Sequence, residues 1–169
     1  MSTPEHTNFA RTTCAPPVLF LDFDGVTHPE PCVSADLFRR LPLIEAVVRE
    51  RELRDIDIVI SSSWKDHYSL SALRGFFSPD VGARVLDVSP TASKPGSMWL
   101  PGHSSAFERQ WEIEQWLKHN RPWGTPWVAI DDRDYWFEPG CPHLLLTHSE
   151  VGFTPEHAPR LRDMLWERL

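Results

Sequence analysis

The feature that most constrains the fold of this chain is a set of short apolar runs, each of which stops abruptly at polar residues. The clearest are Val18 to Asp22, Ile56 to Ile60 and Trp127 to Ile130. A short, uninterrupted apolar run bounded by turn residues is typical of a strand buried on both faces, as in a parallel sheet. The weaker run Arg84 to Val88 and the run Leu144 to Thr147 bring the predicted strands to about five.

Helix signals lie between these runs. Pro is favoured in the first turn of a helix, and a Ser or Thr side chain just before it caps the free backbone N–H groups. The predicted helix starts are Pro42, Ser69, the capping box formed by Ser105 and Glu108 (opening a helix toward Leu117), and Thr154. The apolar residues expected on the inner faces of these helices are Leu43, Val47, Val48, Leu70, Leu73, Phe76, Phe77, Leu161, Met164, Leu165 and Leu169.

Strands that alternate with helices predict an α/β fold, with a central parallel sheet and helices on both faces. In such sheets, ligands bind beyond the carboxyl ends of the strands. The polar clusters of this sequence fall at those ends, so the pattern that predicts the fold also predicts where a site lies. We expect residues 18–169 to form one domain, preceded by a flexible tail over residues 1–17.

Composition excludes some classes of function. The chain of 169 residues is the size of one domain, and no apolar run is long enough to cross a bilayer. The N-terminal stretch lacks the apolar centre of a secretory signal, so we expect a cytoplasmic protein with no membrane partner. Cys14, Cys32 and Cys141 are then expected to be free thiols. The net charge of −7 gives no general attraction to nucleic acid, which would require a local basic patch.

The first polar cluster is Asp22-Phe23-Asp24-Gly25, directly after the first strand. Two carboxylates separated by one residue, at a turn that Gly25 eases, can hold a hard cation between a side chain and a backbone carbonyl. Asp and Gly are also common in ordinary turns, and an isolated cluster of this kind would be interpreted that way.

Two other strand ends carry polar clusters as well. Asp131 and Asp132 follow an apolar run, and adjacent acids there repel one another unless a cation neutralises them. Ser61, Ser62 and Ser63 end another run with hydroxyl and N–H groups suited to phosphoryl oxygens. A serine run alone is usually a turn, but three such ends together favour a site.

These motifs resemble those of the haloacid dehalogenase superfamily. Leu19 to Val26 is similar to its first motif, Ile58 to Ser61 to its second, and Val128 to Asp132 to its fourth. The succession Asp-Phe-Asp-Gly-Val, Ser-Ser-Ser-Trp-Lys, an Arg with Glu-Ile and Trp-Leu, Asp-Asp and Gly-Phe-Thr is most similar to the haloacid dehalogenase domain of Swiss Army knife RNA repair proteins. The matches run from Val18 to Thr154, in the family's order.

The resemblance implies a Rossmann-like fold and a Mg²⁺-dependent phosphohydrolase. Asp22 would attack phosphorus and form an aspartyl-phosphate, and Asp24 would protonate the leaving oxygen and then take a proton from water. An acid at Asp24 implies a phosphatase rather than a dehalogenase. Ser61 would hydrogen-bond a phosphoryl oxygen, with Ser62 and Gly25 also lining the phosphoryl site.

The same resemblance implies the ligands of the metal and a cation that faces the phosphoryl group. Mg²⁺ would bind Asp22, the backbone carbonyl of Asp24, and either Asp131 or Asp132.

For the cation we favour Arg109, which shares a helix face with Ile113 and Trp116 at spacings of four and seven. A solvated helix arginine is the alternative interpretation. Lys65, just after the serine run, and Lys94, in the Pro-rich stretch from Ser89 to Ser104, are competing candidates.

Two aromatic residues near these motifs receive ordinary structural interpretations. His28 lies after the first motif and is expected to be a surface or hydrogen-bonded histidine. Trp64 can stack on a base, but a Trp beside a buried strand is more often part of the packing.

No segment is long enough for an inserted cap domain, since about sixteen residues separate Gly25 from Pro42 and the stretch from Ser89 to Ser104 is equally short. The site is therefore expected to be open. Open sites in the superfamily go with phosphates on macromolecules, or with oligomers whose neighbours supply a lid. The sequence does not indicate an oligomeric state.

The leading hypothesis is hydrolysis of a phosphomonoester at a nucleic-acid end or on a nucleotide. One alternative is a general small-molecule phosphatase. Another is a module that binds phosphate and metal without turnover, which the intact Asp22 and Asp24 disfavour. A receiver domain phosphorylated by a kinase also uses acids at strand ends, but it places its acidic pair and its acceptor in the reverse order.

Overall fold

The central element is a five-stranded parallel sheet. The computed structural model describes residues 15–91 and 107–167, so the predicted tail falls almost wholly outside the described residues. The strands are β1 (Val18–Leu21), β2 (Asp57–Ile60), β3 (Val85–Val88), β4 (Trp127–Asp131) and β5 (Leu144–Leu146). They lie side by side in the order β3-β2-β1-β4-β5, and every pairing is parallel. The predicted Rossmann-like α/β fold is confirmed.

The described helices are α1 (Leu41–Val48), α2 (Leu70–Arg74), α3 (Pro79–Gly82), α4 (Glu108–Asn120) and α5 (His157–Trp166). Pro42 lies in the first turn of α1, as predicted, and the Ser69 side chain caps α2 by accepting the N–H of Ala72 at 3.3 Å. α4 begins at Glu108 with no side-chain capping bond at Phe107. Ser105, the predicted cap, lies outside the described residues.

Two helical segments differ from the prediction. α2 ends at Arg74, before Phe76 and Phe77, because Gly75 follows and the chain continues through tighter turns in which Phe76 N donates to Leu73 O at 3.2 Å. Phe77 is nevertheless buried against the core, so its burial was predicted correctly although its helix was not. The single turn α3 was not predicted, since four residues carry too little periodicity to be recognised.

Helices cover both faces of the sheet because successive strand residues point to opposite sides. Leu19 and Leu21 of β1 face a core built with α1, α2 and α5. Val18 and Phe20 face the other side, where Ile113 and Trp116 of α4 pack on them. The central strands β1 and β4 are therefore buried on both faces, which explains their apolar sequences, whereas Leu86 of the edge strand β3 and Leu146 of the edge strand β5 are exposed.

The carboxyl edge of the sheet is not covered by an inserted domain within the part of the chain that is described. Between β1 and α1 the chain forms only loops and the short 3-10 helix Ser34–Asp36. Among the described residues, no helix combines the length and the apolar character needed to cross a bilayer.

Candidate active site

The sheet register brings three polar strand ends to the same level. β1 lies between β2 and β4, with Leu21 paired to Ile60 on one side and to Ile130 on the other. The next residues along the three strands are Asp22, Ser61 and Asp131. Backbone hydrogen bonds fix this level, since Ser61 N donates to Leu21 O at 3.0 Å and Asp22 N donates to Ile130 O at 3.1 Å.

Three carboxylates meet at this edge. Asp22, Asp131 and Asp132 each offer an oxygen that lies within 4.8 Å of the other two. Asp22 is 4% exposed and Asp131 is fully buried. Burial, together with the neighbouring Asp22, raises the pKa of Asp131 well above its usual range. Burial also raises the pKa of Asp22, against the opposing charge of Arg109. The cluster therefore favours a positive ion.

Several buried polar atoms at this edge have no hydrogen-bond partner among the described residues. They are Asp131 Oδ2, Asp132 Oδ1, Ser61 Oγ and Arg109 Nη1. Buried polar groups without partners are rare in folded proteins and are commonly explained by an unrecorded ion, water or ligand. Two of these atoms are carboxylate oxygens of the cluster, which are the ligands that Mg²⁺ prefers.

Gly25 allows the first motif to turn tightly against Asp132. Its φ of +68° lies in the left-handed region that side chains disfavour. A Cβ at this position would lie within 2.9 Å of three side-chain atoms of Asp132. The backbone is held there by Thr147 Oγ1, which donates to Gly25 O at 2.8 Å.

Asp24 does not point its carboxylate into the cluster with the other acids. Its Oδ1 lies 3.0 Å from Nε2 of His28, and the indole N–H of Trp64 donates to both of its oxygens, at 3.1 and 3.0 Å. The hydrogen bond to His28, followed by the one to Trp64, lowers the pKa of Asp24, while partial burial opposes them.

Arg109 reaches the cluster from the first turn of α4. It is 6% exposed, and its Nη1 lies 4.0 Å from Asp22 Oδ1 while its Nε lies 3.7 Å from Asp131 Oδ2. The guanidinium carbon lies 4.9 Å from the ring centroid of Trp136, which restricts its position. Ile113 and Trp116 are buried on the same helix face, as the spacing predicted.

Lys65 is also buried, but it is engaged elsewhere. Its Nζ lies 2.9 Å from Glu112 Oε2 and donates to Ser89 Oγ at 2.9 Å and to Pro90 O at 3.1 Å. Burial lowers the pKa of this amine, and the hydrogen bond to Glu112 opposes the shift. The other competing cation, Lys94, lies outside the described residues.

The hydroxyls of Ser61 and Ser62 have different hydrogen-bond surroundings. Ser61 Oγ is buried without a partner among the described residues, whereas Ser62 Oγ caps the short helix Ser63–Asp66 by accepting Trp64 N at 3.4 Å. A hydrogen bond from Ser62 also lowers the pKa of Asp22. Both hydroxyls are thus at the edge where the sequence predicted a phosphoryl site.

His28 and Trp64 were not singled out as functional residues from the sequence, yet they bind the carboxylate of Asp24. Their proximity depends on a loop that brings Trp64 back to a residue 40 positions earlier. The only available signal was that each closely follows a motif, which is too weak to separate them from packing residues.

Comparisons with known proteins assign the chain to a family. No curated protein matched it. The family model described as the HAD domain in Swiss Army Knife RNA repair proteins matches residues 18–158, which include every site residue discussed above. The chain belongs to this family of the haloacid dehalogenase superfamily.

Proposed function

We propose that the protein is a Mg²⁺-dependent phosphomonoester hydrolase that works through an aspartyl-phosphate on Asp22. The observation that carries the proposal is the surroundings of this one carboxylate. Asp22 lies within 4.8 Å of an oxygen of Asp131 and of Asp132, and 4.0 Å from the guanidinium of Arg109. A buried carboxylate between a cation site and a guanidinium is suited to receive a negatively charged phosphoryl group.

The residues of the carboxylate cluster fit Mg²⁺. Two buried oxygens, Asp131 Oδ2 and Asp132 Oδ1, lack a hydrogen-bond partner among the described residues and are available as ligands. Asp22 and the backbone carbonyl of Asp24 would complete the set. When bound, Mg²⁺ supplies the positive charge that offsets repulsion among these carboxylates and the phosphoryl oxygens.

In the first half-reaction, a carboxylate oxygen of Asp22 forms a bond to phosphorus while the bond between phosphorus and the leaving oxygen breaks. Asp24 donates a proton to that oxygen, so the alcohol departs neutral. Arg109 offsets charge on the phosphoryl oxygens, and the Ser61 hydroxyl donates a hydrogen bond to one of them. The product of this step is an acyl phosphate on Asp22.

In the second half-reaction, water attacks phosphorus and gives its proton to Asp24, and the bond from phosphorus to Asp22 breaks. Inorganic phosphate leaves and both carboxyl groups return to their starting state. The hydrogen bonds from His28 and Trp64 favour the ionised Asp24 that this step needs. A negatively charged phosphoryl group beside Asp24 favours the protonated form that the first step needs.

For the substrate we propose a phosphorylated nucleic-acid end or a nucleotide, acted on in the cytoplasm. The family match to RNA repair proteins and the absence of an inserted domain after β1 support a macromolecular substrate. The net charge of −7 disfavours a long polyanion, which favours a general small-molecule phosphatase as the second candidate.

The test is a phosphatase screen with and without Mg²⁺. Its substrates are nucleotides, 3′- and 5′-phosphorylated oligonucleotides, sugar phosphates and phosphopeptides, and its control is Asp22→Asn. We expect Mg²⁺-dependent phosphate release by the wild type and none by Asp22→Asn, because an amide is a poor nucleophile. Near wild-type turnover by Asp22→Asn would refute the nucleophile. Hydrolysis of no substrate by the wild type would leave a binding module.

A further inference from the structure

The carboxylate of Asp24 is held by two side-chain donors from different parts of the chain. His28 Nε2 lies 3.0 Å from Oδ1, and Trp64 Nε1 lies 3.1 Å from Oδ1 and 3.0 Å from Oδ2. His28 comes from the loop after β1 and is 2% exposed. Trp64 comes from the short helix after β2. Two donors on separate segments fix both the position and the rotation of the carboxylate plane.

The contact with Asp24 places a hydrogen on Nε2 of His28. An ionised carboxylate only accepts hydrogen bonds, so Nε2 must donate to Asp24. On the other side of the ring, the backbone N–H of Phe38 donates to Nδ1 at 3.4 Å. A hydrogen on Nε2 satisfies the contact with Asp24, and the contacts of Nδ1 with Phe38 N and with Thr27 Oγ1, at 3.0 Å, further fix the ring.

An aromatic cluster keeps both donors in place. Trp64 meets Phe38 edge-on at a centroid distance of 5.3 Å and meets Phe23 edge-on at 5.7 Å. Tyr68 stacks on Trp64 at 5.3 Å. His28 meets the same Phe38 ring edge-on at 5.4 Å. A carboxylate on a loop is thus oriented by rings that the core holds.

The two oxygens of Asp24 are not equivalent. Oδ1 receives hydrogen bonds from both His28 and Trp64, so its two lone-pair positions are occupied. Among the described residues, Oδ2 receives only the shared indole N–H, which leaves one of its lone-pair positions open. A proton on Oδ1 would face two donors, which is unfavourable. Oδ2 is therefore the oxygen of Asp24 that is more open to a substrate.

On the basis of the function proposed above, we propose that Trp64 and His28 are positioning residues for acid catalysis, which orient Asp24 so that Oδ2 delivers the proton to the leaving oxygen. Neither residue needs to touch the substrate. As the bond from phosphorus to the leaving oxygen breaks, the O–H bond of Oδ2 breaks and its proton passes to that oxygen. Oδ1 stays bound to both donors throughout.

The test compares Trp64→Phe with wild type on p-nitrophenyl phosphate and phenyl phosphate. A p-nitrophenolate departs readily as an anion, whereas phenolate, being more basic, depends more on the acid. General acid catalysis contributes about 100- to 10,000-fold, so we expect a misplaced acid to lower kcat/KM on phenyl phosphate by about 10- to 100-fold. On p-nitrophenyl phosphate we expect a loss of no more than about threefold.

The matched control is Trp116→Phe, which also removes an indole N–H from a carboxylate. Trp116 Nε1 donates to Asp87 Oδ2 at 2.8 Å, about two turns along α4 from Arg109. This variant should change both substrates by the same factor. His28 is tested in parallel, and His28→Gln, which keeps a donor, should retain more activity on phenyl phosphate than His28→Ala.

The outcomes separate the two proposals. A wild type that releases phosphate from neither ester and from no substrate of the screen described above overturns the proposed function, and the positioning proposal with it. A wild type that hydrolyses both esters, together with a Trp64→Phe loss equal on the two, overturns the positioning proposal alone. A larger loss on phenyl phosphate for Trp64→Phe, absent in Trp116→Phe, supports it. Thermal unfolding of each variant shows whether a loss reflects a folded protein.

Discussion

Replacing Gly25 by Ala tests whether metal binding depends on the position of the Asp132 side chain, which packs against this glycine. Gly25 has a φ of +68°, and a Cβ there would lie within 2.9 Å of three atoms of the Asp132 side chain. Gly140 has a similar φ of +74°, but a Cβ there would meet nothing within 4 Å. Gly140→Ala therefore isolates the cost of backbone strain, and Gly25→Ala adds displacement of Asp132.

The two variants should differ in stability. A left-handed conformation costs a non-glycine residue about 1–2 kcal/mol, and each kcal/mol lowers Tm by about 2–4 °C in a chain of this size. The Tm of Gly140→Ala should therefore be about 2–8 °C lower than that of the wild type. The free energy of unfolding of Gly25→Ala should fall by about a further 1.5–3 kcal/mol. This is the usual contribution of a hydrogen bond to a charged group, and displacement of Asp132 breaks the one that Ser149 Oγ donates to Asp132 Oδ2.

Activity discriminates more sharply than stability. Because Asp132 belongs to the carboxylate cluster, its displacement should raise the Mg²⁺ concentration for half-maximal activity by about 10- to 100-fold. Gly140→Ala should leave that concentration unchanged. The assay is a Mg²⁺ titration of phosphate release at a temperature where both variants are folded. If Gly25→Ala needs the same Mg²⁺ concentration for half-maximal activity as the wild type, the absence of a side chain at position 25 is not what allows Asp132 to occupy its place in the cluster.

Three further outcomes follow from the same site. Mg²⁺ at 100 times its Kd should stabilise the folded state by about 2.7 kcal/mol, and Asp131→Asn should reduce the accompanying rise in Tm; equal melting in Mg²⁺ and chelator would contradict a shared metal site. Arg109→Ala should lower kcat/KM by about 100-fold and Arg109→Lys by less, while Lys65→Ala and Lys94→Ala have smaller effects; the reverse order would move the role to a lysine. A phosphorylated oligonucleotide should be hydrolysed with higher kcat/KM than the matching mononucleotide, by a margin that shrinks with salt; equal values would refute the macromolecular substrate.

The sheet was predictable because the signal for each strand lies within a few consecutive residues. Strands buried on both faces must be apolar throughout, and their polar ends mark the edge where a parallel sheet binds ligands. The sequence therefore indicated that Asp22, Ser61 and Asp131 lie together, and the register confirms it. The end of α2 was predicted less well. Phe76 and Phe77 continue the apolar spacing of the helix, although the helix ends at Arg74, just before Gly75.

The surroundings of Asp24 were not predictable in this way. Trp64 and His28 reach its carboxylate through loops, and loop closure depends on contacts distant in sequence. The loop that carries His28 is itself held by Phe153 N, which donates to Val26 O at 2.7 Å. Gly152 allows this approach, since a Cβ there would lie 2.9 Å from Val26 O. No periodicity along the chain encodes such a contact.

The position of β1 in the middle of the sheet has a consequence for synthesis on the ribosome. β1 precedes β4 by 109 positions in the pairing of Val18 with Trp127, so one edge of β1 stays open until the later strand has emerged. During that interval β2 can pair with β1 and β3 with β2, but the other edge of the run Val18–Leu21 still presents unpaired backbone groups. Unpaired strand edges and exposed apolar surface of this kind favour self-association of incompletely folded chains in general. The nucleophile is thus made early in translation, whereas the carboxylates that complete its site arrive more than a hundred residues later.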